Sequence, residues 1–175
     1  MTQSIEVRED LWKRIQSTRM AMIVSLDEEG QMRSRPMTVQ RIDSSGTLWF
    51  FASRESTLAR DIAMQTDVNV AVADVDQDLY VSIVGRATSV QDRALAEELW
   101  TPMAKAWFPG GVDDPSLVLI KVVTASAEFW NITESKMVQF FKMAAAAVTG
   151  NPPSDLGEHG SIEGNDPIRR EHSRA

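Results

Sequence analysis

MAMIVSLDEEGQMRSRPMTVQRIDSSGTLWFFA, residues 20–52, decides how this chain reads. Its first seven residues are apolar and partly β-branched and stop at Asp27-Glu28-Glu29-Gly30, the pattern of a strand entering a hairpin turn. Residues 31–42 then alternate, with Met32, Ser34, Pro36 and Thr38 on one face and Arg33, Arg35, Met37 and Val39 on the other. Pro36 has no N–H to give a ladder, so the strand must be bulged or lie at an edge there. A second turn, Asp43-Ser44-Ser45-Gly46, leads into a short aromatic strand over 47–52. Three strands joined by tight turns make a meander.

Upstream, Ile5, Leu11, Trp12 and Ile15 recur at helical spacing over 5–18, with Ser4 as the expected N-cap. Downstream, residues 55–65 switch to helical spacing, with Leu58 and Ile62 inward, Met64 as a third inward candidate, and Ser56 near the start. Residues 68–75 and 79–90 are β-rich runs around the acidic turn Asp76-Gln77-Asp78, and 117–127 is a sixth such run. Further helices are expected at 92–100 and 134–148. Six strands linked mainly by hairpins, with short helices between, predict a mainly β (α+β) fold: an antiparallel barrel with peripheral helices rather than a βαβ array. No GxGxxG or Walker loop and no repeat of ~20–50 residues occurs.

The chain has 175 residues, 43% hydrophobic and 25% charged, which suits one folded domain, placed at 1–149. The last 26 residues (150–175) hold four of the nine glycines, three of the seven prolines and no aromatic, so a flexible tail is expected. A net charge of −7 argues against nucleic acid as a partner. No run reaches the ~18 apolar residues of a membrane span, and the acidic start MTQSIEVREDLW does not look like a signal peptide, so a cytoplasmic protein is expected. There is no cysteine, and both histidines, His159 and His172, fall in the tail. Chemistry in the body must do without thiol or imidazole, and a bound organic cofactor becomes its natural source.

Three groups can carry function. Arg33 and Arg35 leave one strand face and can clamp a phosphate or carboxylate, although the same spacing describes a solvated face. Ser56, Thr57 and Leu58 open a helix whose first N–H groups face an anion, or else Ser56 is an ordinary cap. Trp107 and Phe108 stand in a Pro/Gly loop and, with Trp130 and the Trp49-Phe50-Phe51 strand, offer either core or a surface for a flat ligand or second subunit. The acidic pairs lie at turns and lack hard-cation spacing, so no metal site is expected. Haem would find no His or Cys axial ligand in the body, only Met or Tyr80.

The order of these pieces resembles the flavin-binding split barrels of the pyridoxamine 5'-phosphate oxidase-like superfamily, and within it the bacterial general stress protein group. The likeness runs over about residues 5–143. Its most specific elements are Lys105-Ala106-Trp107-Phe108-Pro109-Gly110-Gly111, Asp113-Asp114-Pro115, Leu117–Val122 and Ala127-Glu128-Phe129-Trp130. It implies a six-stranded Greek-key split barrel, a homodimer, and flavin mononucleotide (FMN), with FAD as the other possibility, held at the dimer interface. On this resemblance Arg35 meets the flavin phosphate, and Met37 and Thr38 lie along the ring. Phe51, Ala52 and Ser53 touch the ring and ribityl chain, Ser56 opens the phosphate-binding helix, followed by Thr57, and Trp130 with the Trp107 loop approaches from across the dimer.

Two departures stand out. The family places Arg-Lys or Lys-Lys after that serine, whereas this chain has Thr57 and Leu58; Arg54, Arg60 or Arg33 is near enough in sequence to substitute. After Trp130 comes Asn131-Ile132-Thr133-Glu134-Ser135, without the Arg-x-His segment of true pyridoxamine phosphate oxidases, which argues against that activity. The expected function is binding or sequestering flavin under stress; the alternative is a flavin-dependent oxidoreductase that takes hydride from a nicotinamide and reduces a small molecule.

Overall fold

The computed structural model describes residues 2–131 and 158–163. Helix α1 (Thr2–Thr18) precedes strands β1 (Met20–Leu26), β2 (Met32–Ile42) and β3 (Leu48–Ser53). Helix α2 (Thr57–Met64) connects to β4 (Asp67–Asp74) and β5 (Leu79–Val90). Helix α3 (Arg93–Leu99) and two short 3₁₀ turns, Pro102–Ala106 and Gly111–Asp113, lead to β6 (Leu117–Asn131) and β7 (Glu158–Glu163). The strand order β3-β2-β1-β4-β5-β6 closes because β6 also pairs with β3. With β4 returning beside β1 after the β1–β2–β3 meander, this is the expected Greek-key barrel of six antiparallel strands.

Period-2 alternation builds the core. Ile23, Val39, Phe50, Val70, Ile83 and Ile120 point inward from six different strands and are buried together. Arg35 and Met37 share the inward face of β2 with Val39, as the alternation predicts. Pro36 pairs with Met22 of β1, while β2 meets β3 only from Val39 onward, so the proline sits where the strand has an open edge.

The two ends of the barrel are closed by different helices. At one end α1 lays Leu11, Trp12 and Ile15 on the barrel. Trp12 covers Gly46, where a side-chain carbon would stand 2.7 Å from the indole and where φ is +84°, so only glycine fits the turn beneath it. At the other end, past the carboxyl ends of β1 and β3, α2 buries Leu58 and Ile62.

Three expectations are corrected. Ser4 lies inside α1 and does not cap it, since the helix starts at Thr2. β6 is longer than the expected 117–127 and carries Trp130 within the sheet. Met64, an inward candidate of α2, is 64% exposed because it lies at the last turn of the helix, beyond the barrel. Within residues 150–175, the segment Glu158–Glu163 forms β7. β3 occupies one edge of β6 only along Leu117–Val122, and β7 takes the part beyond it, pairing Ser126–Asn131 with Glu158–Glu163 and burying Ile162. Backbone pairing along this vacant edge, together with the single buried side chain of Ile162, holds the segment. The helix expected at 134–148 falls outside the described residues.

Candidate functional site

The turn after β1, the start of β2 and the first turns of α2 converge on one pocket of about 260 Å³. It is lined by Asp27, Glu28, Glu29, Arg33, Arg35, Thr57, Arg60 and Asp61. Its organising contact joins residues 22 apart in sequence: the Arg35 Nε–H donates to Thr57 Oγ1 at 3.2 Å. The same guanidinium donates to Asp61 Oδ2 (2.8 Å), to Ser25 Oγ (2.7 Å) and to the Arg33 carbonyl (3.4 Å). Ser25 in turn donates to Asp61 Oδ2 at 2.9 Å. Asp61 and Ser25 are both buried, with 5% and 2% of their surface exposed, so the carboxylate needs this cation beside it.

Local sequence explains each placement. Ser56 caps α2, its Oγ accepting from the Ala59 N–H at 3.2 Å, which leaves Thr57 as the first helical residue, facing β2. The tight turn before it is closed by the Ser56 N–H on the Ser53 carbonyl (3.0 Å) and the Glu55 N–H on Ser53 Oγ (3.2 Å). Asp61 falls one turn after Thr57, inside the stripe of buried residues Leu58, Ala59, Asp61 and Ile62. Arg33 is held at the rim by Asp27 (2.8 Å) and Gln31 (2.9 Å). The Asp27 carboxyl sits below the usual carboxylate range, first through the Gln31 backbone N–H and then through Arg33.

Of the expected residues, Arg35 and Thr57 meet in this pocket, while Ser53 and Ser56 build the turn and cap leading to it without lining it. Met37 packs against the core, while Thr38 faces the other side of β2, with Oγ1 3.6 Å from Met20 Sδ. Ala52 lies inside the barrel. Phe51 points outward into a second apolar cluster, its ring 5.7 Å from Trp100 and 6.4 Å, edge-on, from Phe108. Phe108 is therefore core, and its neighbour Trp107 is 81% exposed. Trp130 lies thirteen residues beyond Leu117 on β6, roughly 40 Å of strand, beside Tyr80 at the α1 end. Within one chain it stands at the opposite end of the barrel from Thr57.

Sequence reasoning missed Asp61 and Ser25. An acid inside an apolar helical stripe was the available signal for Asp61, because such a position is tolerated only when a cation reaches it. Ser25, inside an apolar strand, gave no comparable signal.

Residues 6–154 match the family model described as pyridoxamine 5'-phosphate oxidase like. The chain belongs to the pyridoxamine 5'-phosphate oxidase-like family. Among solved structures, a chain from Jannaschia sp. described as general stress protein 26 superposes with a TM-score of 0.71 at 28% identity, over 90% of this chain and 98% of that one. A general stress FMN/FAD binding protein from Xanthomonas citri superposes with a TM-score of 0.65 at 34% identity, over 74% of this chain and 92% of that one. Protein bli-3 of Neurospora crassa is 27% identical over 153 residues, 82% of this chain and 73% of that protein. These relatives place the oxidase-like barrel in the general stress group. Among its described residues, no helix is long and apolar enough to cross a membrane, and no group of three or more acids or histidines could hold a metal ion.

Proposed function

We propose that this protein binds a flavin, FMN in preference to FAD, with its phosphorylated end in the pocket between β2 and α2, and that it does so as a homodimer. The observation that carries this reading is the Arg35–Thr57 contact, which brings two residues of the expected phosphate site to one pocket. Two of its three arginines are paired with Asp27 and Asp61, and the third, Arg60, together with the threonine hydroxyl suits a phosphoryl group. At about 260 Å³ the pocket is smaller than the ~300–1,000 Å³ of sites that enclose a whole small molecule, so it suits one end of a flavin and leaves the ring outside.

A second copy would cover the ring. The outer face of the sheet leaves Met20, Met22, Pro36 and Val84 exposed on three strands, an apolar surface suited to another copy of the chain. The distance of Trp130 from the pocket in one chain is supporting geometry, because an approach from the partner removes the conflict. When bound, the flavin supplies two-electron chemistry of its own, and the pocket residues bind and orient it.

Titrating purified protein into micromolar FMN tests the reading by fluorescence quenching, and sedimentation measures the assembly. Saturable quenching by a dimer is expected; unquenched flavin, or a monomer that binds it, would overturn the corresponding half. Reduction of the loaded protein by nicotinamides with acceptor turnover would favour the oxidoreductase alternative over binding alone.

A further inference from the structure

Arg35 is nearly spent as a donor. A guanidinium has five N–H groups, and Thr57, Ser25, the Arg33 carbonyl and Asp61 take four of them. Forking onto a phosphate would strip the buried Asp61 of its cation, a step that leaves an uncompensated charge in the protein. Arg33 gives two of its five N–H groups to Asp27 and Gln31, and its charge is matched by the Asp27 carboxylate. Arg54 follows Ser53 but lines a different pocket, with Val90, Arg93 and Leu117. The remaining cation of the Thr57 pocket is Arg60, exposed on α2 one turn after Ser56 and, among the described residues, without a side-chain partner. Thr57 Oγ1 accepts from Arg35, which aims the lone pair toward β2 and frees its O–H for the pocket.

Resting on the flavin reading above, we infer that Arg60 is the residue that neutralises the phosphate of the bound flavin, with Thr57 donating its hydroxyl. Arg35 is a positioning residue that holds Thr57 and is itself balanced by Asp61. Glu28 and Glu29 line the same pocket but, among the described residues, form no ion pair with Arg60, and at this exposed turn salt screens their repulsion of a phosphate more than it weakens a direct Arg60–phosphate hydrogen bond. The site therefore distinguishes FMN from riboflavin through one unpaired arginine and one hydroxyl.

The test compares FMN with riboflavin, which lacks the phosphate, by fluorescence titration of the full chain. The wild type should bind FMN at least tenfold more tightly. Arg60→Gln should bring that ratio near one with riboflavin affinity unchanged, and Arg54→Gln should leave it intact. The double variant Arg35→Gln/Asp61→Asn removes the buried pair without leaving a lone charge. It should keep most of the FMN preference if Arg35 only positions Thr57, and lose it if Arg35 carries the phosphate. A preference that survives Arg60→Gln, or one that Arg54→Gln abolishes, overturns the inference even if the double variant does not fold. Equal wild-type affinity for the two flavins overturns the inference and spares the flavin reading, whereas binding of neither overturns both.

Discussion

Helices α1 and α2 close opposite ends of one barrel, and only one of them makes a site. α1 seals its end with Leu11, Trp12 and Ile15, an apolar centre in which even the Trp12 Nε1–H is buried without a partner, and its polar contacts, Gln16 with the Ile42 N–H and Thr18 with Asp74, lie around that centre. α2 seals its end with Leu58 and Ile62 but sets Asp61 between them, and that carboxylate draws Arg35 and Ser25 into a network ending at Thr57. The difference teaches that closure needs no buried charge. A buried ion pair where apolar packing suffices is weak evidence for stability, and here it fixes the direction of a donor at the rim.

The sharpest way to break this comparison is to remove one charge at the α2 end. Arg35→Ala should destabilise the fold by about 3–5 kcal/mol, because it leaves Asp61 buried and unpaired. Urea denaturation measures it, and a loss under 1 kcal/mol would mean that the carboxylate reaches water. At the α1 end Ile15→Ala should cost about 2–5 kcal/mol by cavity formation, with FMN affinity unchanged in protein that remains folded. A parallel loss of affinity would show that the two ends are coupled. Ser56→Ala removes the α2 cap and should cost about 1 kcal/mol, weakening FMN as Thr57 loses its fixed orientation.

The smallest effect concerns acid. Asp27 at the α2 end and Asp74 at the α1 end both have carboxyls below the usual range. Asp74 is lowered first by the Gln77 backbone N–H, with a further contribution from the Thr18 hydroxyl. Folded carboxyls that release protons more readily than unfolded ones stabilise the protein above the ordinary Asp value near ~3.9, and that contribution is lost as pH falls through the lowered folded values. Denaturation midpoints should therefore fall below pH ~4. Added salt should reduce this loss more for Asp27, which has Arg33 as a partner, than for Asp74, whose lowering comes from neutral donors. Asp27→Asn and Asp74→Asn, each compared at low and high salt, separate the two ends, and equal salt sensitivity would erase the distinction.

The meander, the inward face of β2 and the Ser56 cap were legible in residues 20–65, because strand alternation and helix capping are local: each depends on neighbours two to four positions away. Ser56, Thr57 and Arg35 could be singled out for the same reason. What sequence alone could not settle was the pairing of Arg35 with Thr57, Asp61 and Ser25, since these side chains meet only after β1, β2 and α2 have packed. Nor could it choose among Arg33, Arg54 and Arg60. All three are near in sequence, but the fold pairs Arg33 with the Asp27 carboxylate at the rim of the Thr57 pocket, sends Arg54 to another pocket and leaves Arg60 in the Thr57 pocket without a side-chain partner among the described residues. β7 was hidden for a related reason. A strand held by the open edge of β6 is selected by backbone donors and acceptors that every residue carries, so its side chains Glu158–Glu163 need show no alternation to announce it. The order of the barrel was thus written in short-range pattern, and the charge state of its site in long-range contact.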